Sequence, residues 1–119
     1  MKKLLIVDDN LDYLDFLVTV LENYFEVYKA SGVKEALQVL KSKKVDAICS
    51  DFNMGDGTGL ELLEKIRQKD LIIPFLLMSG NDDWRLEQEA QLYGGTYCCK
   101  ADYDLIANIK ALVEPTKNI

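Results

Sequence analysis

The 119-residue sequence contains no histidine. That absence excludes an imidazole base, an imidazole nucleophile and every zinc site that counts histidine among its ligands. Cysteine is scarce: Cys49, Cys98 and Cys99 are the three present, without a CxxC spacing, so a redox or zinc motif is missing. Cys98 and Cys99 are neighbours, and neighbours on a strand point to opposite faces, which keeps them from pairing. Their expected role is that of small buried hydrophobes in a reduced compartment, which places the protein in the cytoplasm. Apolar runs are short, as in Leu4-Leu5-Ile6-Val7, so no membrane span or signal-peptide core is expected. Positive charge is also in deficit, with Lys and Arg giving 14 against 20 Asp and Glu and a net charge of −6. Direct nucleic-acid binding through phosphates calls for the opposite sign. The imbalance is even: residues 1–60 and residues 61–119 each hold 7 basic and 10 acidic side chains, so there is no acidic tail.

What is present is alternation. Apolar strand-length runs at Leu4–Val7, Phe25–Tyr28, Ala47–Ser50, Ile72–Met78 and Thr96–Cys99 are each followed by a stretch of helical spacing. Leu11, Leu14, Leu17, Val18, Leu21 and Tyr24 mark the first helix. Ser31 is the expected N-cap of the second, which carries Val33, Ala36, Leu37 and Leu40. Leu60, Leu63 and Ile66 carry the third, ending near Lys69-Asp70. Leu86, Ala90 and Tyr93 carry the fourth, stopped by Gly94-Gly95. Leu105, Ile106, Ile109 and Leu112-Val113 carry the last, closed by Pro115. Strand and helix in fivefold alternation predict a parallel sheet with helices on both faces. The length suits one domain.

Polar residues stand directly after the expected strands: Asp8 and Asp9 after the first, Asp51 after the third, Ser79 after the fourth and Lys100 after the fifth. In open α/β sheets ligands bind outside the carboxyl ends of the strands. Taken singly, each residue has an ordinary explanation. Asp8-Asp9-Asn10 reads as a helix cap, Asp51 as a turn residue and Lys100 as a solvated charge. Taken together, three carboxylates at one sheet edge need more compensation than one lysine gives. A hard divalent cation supplies it, and Mg²⁺ is the expected ion, at Asp9 and Asp51 with Asp8 behind them.

These residues resemble the receiver domain of bacterial two-component response regulators, most of all the stand-alone, chemotaxis-type members. The resemblance covers essentially the whole chain. It rests on Ile6-Val7-Asp8-Asp9-Asn10, on Ser50-Asp51-Phe52-Asn53-Met54 with Gly59 beyond, on Met78-Ser79-Gly80 and on Tyr97-Cys98-Cys99-Lys100. It implies a flavodoxin-like, doubly wound (βα)5 fold with strand order 2-1-3-4-5, and residues 1–119 as a single receiver domain without an output domain. It implies a phosphorylation-activated switch rather than a turnover enzyme. Asp51 would accept a phosphoryl group from a sensor histidine kinase or histidine phosphotransfer protein. Asp9, Asp51 and the main-chain carbonyl of Asn53 would bind Mg²⁺, assisted by Asp8. Lys100 and Ser79 would contact phosphoryl oxygens, and Ser79 and Tyr97 would form the switch pair. The implied output face, made by the fourth helix, fifth strand and fifth helix, would include Trp84, Arg85, Tyr97, Tyr103 and Lys110, and would meet a downstream protein.

Two departures stand out from the family pattern. Ala101 replaces the usual proline after the lysine, so a trans peptide is expected there. Gly55 replaces the usual proline after Met54, and with Gly57 and Gly59 it predicts a flexible loop. Other readings of the same residues are a haloacid dehalogenase-type phosphatase, a flavodoxin-like cofactor binder and a receiver that acts by binding alone. The first would place Asp-x-Asp after strand one, where Asp8 and Asp9 are adjacent. The second would place a phosphate loop there, where two aspartates repel phosphate. The third would show a broken site.

Overall fold

The computed structural model describes residues 1–69 and 71–114. In chain order the elements are β1 (Lys3–Val7), α1 (Leu11–Leu21), β2 (Glu26–Ala30), α2 (Val33–Ser42), β3 (Ala47–Asp51), β4 (Asn53–Met54), β5 (Gly57–Thr58), α3 (Gly59–Gln68), β6 (Phe75–Ser79), α4 (Trp84–Leu92), β7 (Thr96–Cys99) and α5 (Leu105–Ala111). The main sheet is parallel, in the order β2-β1-β3-β6-β7. Counted along that sheet alone, this is the expected 2-1-3-4-5. The short strands β4 and β5 form a separate antiparallel pair, Asn53 opposite Thr58 and Met54 opposite Gly57.

Alternating side chains on each strand feed two cores, one on each face of the sheet. Leu5, Val7, Ile48, Phe75 and Leu77 face α2, α3 and α4 through Val33, Ala36, Leu62, Leu63, Ile66 and Ala90. Leu4, Ile6, Ala47, Cys49, Leu76, Met78 and Cys98 face α1 and α5 through Leu14, Leu17, Leu21, Leu105 and Ile109. A central strand buried on both faces has no room for a polar pattern, and every residue of β3 is buried. The apolar core therefore carries β3 up to Asp51 and holds it there.

The structure corrects several local expectations. Strand β6 starts at Phe75, not at Ile72. Arg67 explains the late start: its guanidinium donates to the carbonyls of Leu71 (2.8 Å) and Ile73 (2.9 Å), taking acceptors that a longer strand would place in a ladder, and to the Tyr93 carbonyl (2.6 Å) at the end of α4. Pro74 lacks an N–H, and its carbonyl begins the pairing by accepting from Ile48 N at 2.9 Å. Strand β2 runs from Glu26 to Ala30, later than Phe25–Tyr28. Gly94 has φ +72 and ends α4 as expected. Among the described residues no peptide bond is cis. Asp70 and Pro115, expected to close α3 and α5, lie outside the described residues.

Ser31 is not the cap of α2. The N-cap is Gly32, without a side-chain cap of its own, and Ser31 Oγ instead donates to Glu35 Oε2 at 3.0 Å. The cap arrives from the loop after β3, where the Asp56 carboxylate accepts from Val33 N at 2.8 Å and Lys34 N at 3.0 Å. A negative charge at a helix N-terminus gains from both orphan donors and dipole. The same bonds hold the β4–β5 hairpin, so the glycine-rich loop is tied rather than loose. Gly32 makes the approach possible, since a Cβ there would lie 2.5 Å from Asp56 Oδ1. Gly59 has a similar task at the start of α3, where a Cβ would strike the Asp51 carbonyl oxygen and come within 2.6 Å of Leu77 Cδ1.

Asp56→Ala is expected to lower the unfolding free energy by about 1 kcal/mol, read by urea titration. The amides of Lys34 and then Val33 hold the Asp56 carboxyl below the usual carboxylate range. Its contribution is therefore complete above about pH 4 and fades as pH falls through the lowered pKa, so the gap between wild type and variant closes in acid. Gly59→Ala is expected to cost about 1–3 kcal/mol by overpacking against backbone, with NMR shift changes centred on Asp51 and Leu77.

Candidate functional site

The strand ends converge as the sheet order dictates. Val7 pairs with Ser50, so Asp8 leaves β1 beside Asp51 at the end of β3. Asp51 pairs with Met78, and Ser79 pairs with Cys99, which brings Ser79 and then Lys100 to the same edge. The carboxylates of Asp8, Asp9 and Asp51 offer oxygens that all lie within 4.8 Å of one another. Asp8 is fully buried, Asp51 is 8% exposed and Asp9 is open to solvent.

Each buried charge has identifiable partners. Asp8 Oδ1 accepts from Asn10 N at 2.9 Å, and Asp8 Oδ2 accepts from Lys100 Nζ at 2.8 Å. Lys100 Nζ also lies 3.2 Å from Asp51 Oδ1. To reach these groups the lysine, which follows β7, extends past the end of β6 to the ends of β3 and β1. Its backbone is fixed by Lys100 N donating to Ser79 O at 2.7 Å. Burial pulls the lysine pKa down, but the hydrogen bond to Asp8 and the charges of Asp51 and Asp8 outweigh it, so the ammonium is held above its usual value. Asp51 shows the complementary deficit. Burial first, then the Asp8 charge, raise its pKa, and Lys100 reverses this only in part. The site is short of positive charge at the carboxylate that faces the opening. An oxygen-only donor set of three carboxylates with one ammonium suits Mg²⁺.

The other expected residues are placed as follows. Asn53 opens the β4–β5 hairpin beside Asp51 and is exposed. Ser79 Oγ accepts from Asn81 N at 3.3 Å, within the loop after β6. Gly80 has nothing within 4 Å of a Cβ position, leaving the approach open beside it. Tyr97 is half-buried and its hydroxyl donates to the Asn81 carbonyl, linking β7 to that loop. Trp84 is 64% exposed with the Arg85 guanidinium 5.4 Å from its ring, and Tyr103 is fully exposed. Trp84 and Tyr97 share a cleft of about 300 Å³ with Asp82, Asp83 and Glu87. Lys110 does not join them; its ammonium lies 3.9 Å from the ring centre of Tyr24, beyond the end of α1.

The sequence reading missed Asp56 and Tyr13. The Tyr13 ring lies under Lys100, with Nζ 4.3 Å from the ring centre. Burial, followed by Cys49, Asp8 and Asp51, pushes the Tyr13 phenol up to about 12, so it stays protonated. Its available signal was position: an aromatic one turn before Leu17, on the core side of the helix that follows the acid pair. An open groove of about 750 Å³ leads away from Asp9, lined by Leu11, Gly32, Lys34, Gly55 and Asp56 among others. No helix among the described residues is long and apolar enough to cross a membrane.

With this geometry in hand, similarity to known proteins is informative. The family model for the response regulator receiver domain matches residues 4–106. The alkaline phosphatase synthesis transcriptional regulatory protein PhoP of Bacillus subtilis is 32% identical over 83 residues, covering 69% of this chain and 35% of PhoP. Chemotaxis response regulator CheY4 of Vibrio cholerae superposes with a TM-score of 0.85 at 25% identity, covering 94% of this chain and 98% of that one. Response regulator TrrA of Thermotoga maritima, solved in complex with Mg²⁺ and BeF, superposes with a TM-score of 0.82 at 27% identity, covering 94% and 99%. The chain spans between 35% and 55% of the length of the first curated relatives it matches.

Mg²⁺ is expected to raise the thermal midpoint of the wild type, by an increment equivalent to about 2.7 kcal/mol at a hundredfold excess over its dissociation constant. Asp9→Ala should show little of that rise in differential scanning fluorimetry. Without metal, Asp51→Asn should melt above wild type at neutral pH, because a raised carboxyl pKa marks a destabilised charge. That advantage should shrink as pH falls and Asp51 takes up a proton.

Proposed function

The chain belongs to the response regulator receiver family, and on that footing we propose that it is a phosphorylation-activated signalling switch whose phosphoacceptor is Asp51. The observation that carries this reading is the Asp8–Asp9–Asp51 cluster closed by Lys100 at the carboxyl edge of the sheet. The donor class follows from the family: a histidine kinase or a histidine phosphotransfer protein. These 119 residues contain no histidine, so a donor phosphohistidine would lie outside them.

In the proposed transfer, an Asp51 carboxylate oxygen attacks phosphorus. The bond from phosphorus to the donor imidazole nitrogen breaks, its electron pair leaves with the imidazole, and an acyl phosphate remains on Asp51. Asp9, Asp51 and the Asn53 carbonyl would hold Mg²⁺, with Asp8 behind them, and the ion when bound supplies neutralising charge to the phosphoryl oxygens. Lys100 exchanges its contact at Asp51 Oδ1 for a phosphoryl oxygen, keeping Asp8 as its second partner. Ser79 is available to donate its hydroxyl to another, since in the present state it only accepts, from Asn81 N. That exchange would draw on the loop 80–83, to which Tyr97 is hydrogen-bonded, so the switch pair and the output face share one connection. Trp84, Arg85 and Tyr103 support a protein-binding output face by their exposure. Lys110, turned toward Tyr24, supports it less. The product stays on the chain, so this is a phosphoacceptor and not a turnover enzyme. We further propose that the described residues act as one receiver unit.

Incubation with acetyl phosphate and Mg²⁺ followed by intact mass measurement should add one phosphate to the wild type and none to Asp51→Asn. No gain in the wild type would count against the reading, and steady turnover of p-nitrophenyl phosphate would favour a phosphatase instead.

A further inference from the structure

Lys100 is the long-reaching member of the site, and its side chain has several rotatable bonds. Two of its contacts are carboxylates, Asp8 Oδ2 at 2.8 Å and Asp51 Oδ1 at 3.2 Å. The second must be exchanged during the proposed transfer, when phosphoryl oxygens enter. The remaining contact is the face of Tyr13, 4.3 Å from Nζ to the ring centre, within the range of an attractive cation–π pair. The ring is itself well held. Tyr13 N donates to Asn10 Oδ1 at 3.1 Å in the cap of α1, and the side chain packs against the core on the α1 and α5 face of the sheet. Phe16 lies beside it, with ring centres 6.0 Å apart at 37°.

We propose that Tyr13 is a positioning residue that uses its aromatic face to keep the Lys100 ammonium in place while Lys100 changes partner from the Asp51 carboxylate to the incoming phosphoryl group. This deepens the phosphoacceptor reading and rests on it. Asp8 alone fixes one distance and leaves the ammonium free to swing about it. The ring adds a second fixed surface, one that neither gains nor loses charge during transfer. It also covers the ammonium from water, which strengthens the remaining interactions. Because the contact is made by the ring face, phenylalanine should serve and leucine should not.

The test compares wild type, Tyr13→Phe and Tyr13→Leu. Phosphate uptake from acetyl phosphate with saturating Mg²⁺ is timed by intact mass, and the Lys100 ε-methylene protons are followed by NMR in the unphosphorylated proteins. Leucine is expected to slow uptake about three- to tenfold, and phenylalanine to stay within about twofold of wild type. An aromatic ring over the lysine should shift the ε-methylene protons upfield in wild type and Tyr13→Phe, and this shift should vanish in Tyr13→Leu. The Mg²⁺-induced rise in melting midpoint should persist in all three. Undiminished uptake in Tyr13→Leu overturns the proposal. So does equal slowing by phenylalanine and leucine, which would assign the effect to the hydroxyl. Loss of the Mg²⁺ response in Tyr13→Leu also overturns it, because Tyr13 would then support the carboxylates rather than the lysine. Failure of the wild type to take up phosphate counts against the phosphoacceptor reading instead, and the upfield shift still decides whether the contact exists.

Discussion

A single ammonium held against two buried carboxylates is the constraint on which this structure turns. Taking a carboxylate wholly out of water costs several kcal/mol unless it is paired and hydrogen-bonded. Asp8 meets that demand through Lys100 and the Asn10 amide. Asp51 meets it only partly, since it shares the same ammonium and lies against the Asp8 charge. The resulting shortage is local and directed, and it falls on the carboxylate beside the opening. A site satisfied by its own side chains would have no use for a divalent cation. This one is assembled so that the protein fold tolerates the deficit and a bound cation would relieve it.

The rest of the architecture keeps those charges where they are. Two apolar cores clamp the sheet from both faces, and the central strand that ends in Asp51 is buried throughout. Helix α3 starts directly against that strand, with Gly59 allowing the contact and Gly59 N donating to Phe52 O at 2.7 Å. Ser50 Oγ, itself buried, donates to the Asp51 carbonyl at 2.9 Å. Rigid backbone on both sides of Asp51 means that side chains, rather than the strand, respond to a change of charge.

Much of this was readable from the residues. Continuous apolar runs such as Leu4–Val7 and Ala47–Ser50 announce strands covered on both faces, and polar residues directly after them mark the edge where a site forms. The strand order and the individual roles came from resemblance rather than from pattern. What pattern could not deliver were interactions between residues distant in sequence. Ser31 looked like a cap because local spacing allowed it, whereas Asp56 outcompetes it from another loop. Three glycines suggested looseness, yet the charge between them supplies the tether. Ile72 and Ile73 read as strand, but Arg67 claims the Ile73 carbonyl and the Leu71 carbonyl before them. Resemblance assigns Lys110 to the output face, and only three-dimensional packing reveals that its ammonium lies against Tyr24.

The clamp made by Asp56 gives the cleft a handedness. On one side, the hairpin after β3 is fastened to α2 by two charge-assisted bonds. On the other side, beyond the end of β6, Gly80 and Asn81 are held by the Ser79 hydroxyl, the Tyr97 hydroxyl and a long contact from Cys99 Sγ to Gly80 O at 3.8 Å, beside open space. New negative charge at Asp51 would therefore meet a stiff wall and a compliant wall. Displacement would follow the compliant one, toward β7 and α4, so unequal stiffness around the site would set the direction of any signal sent from it.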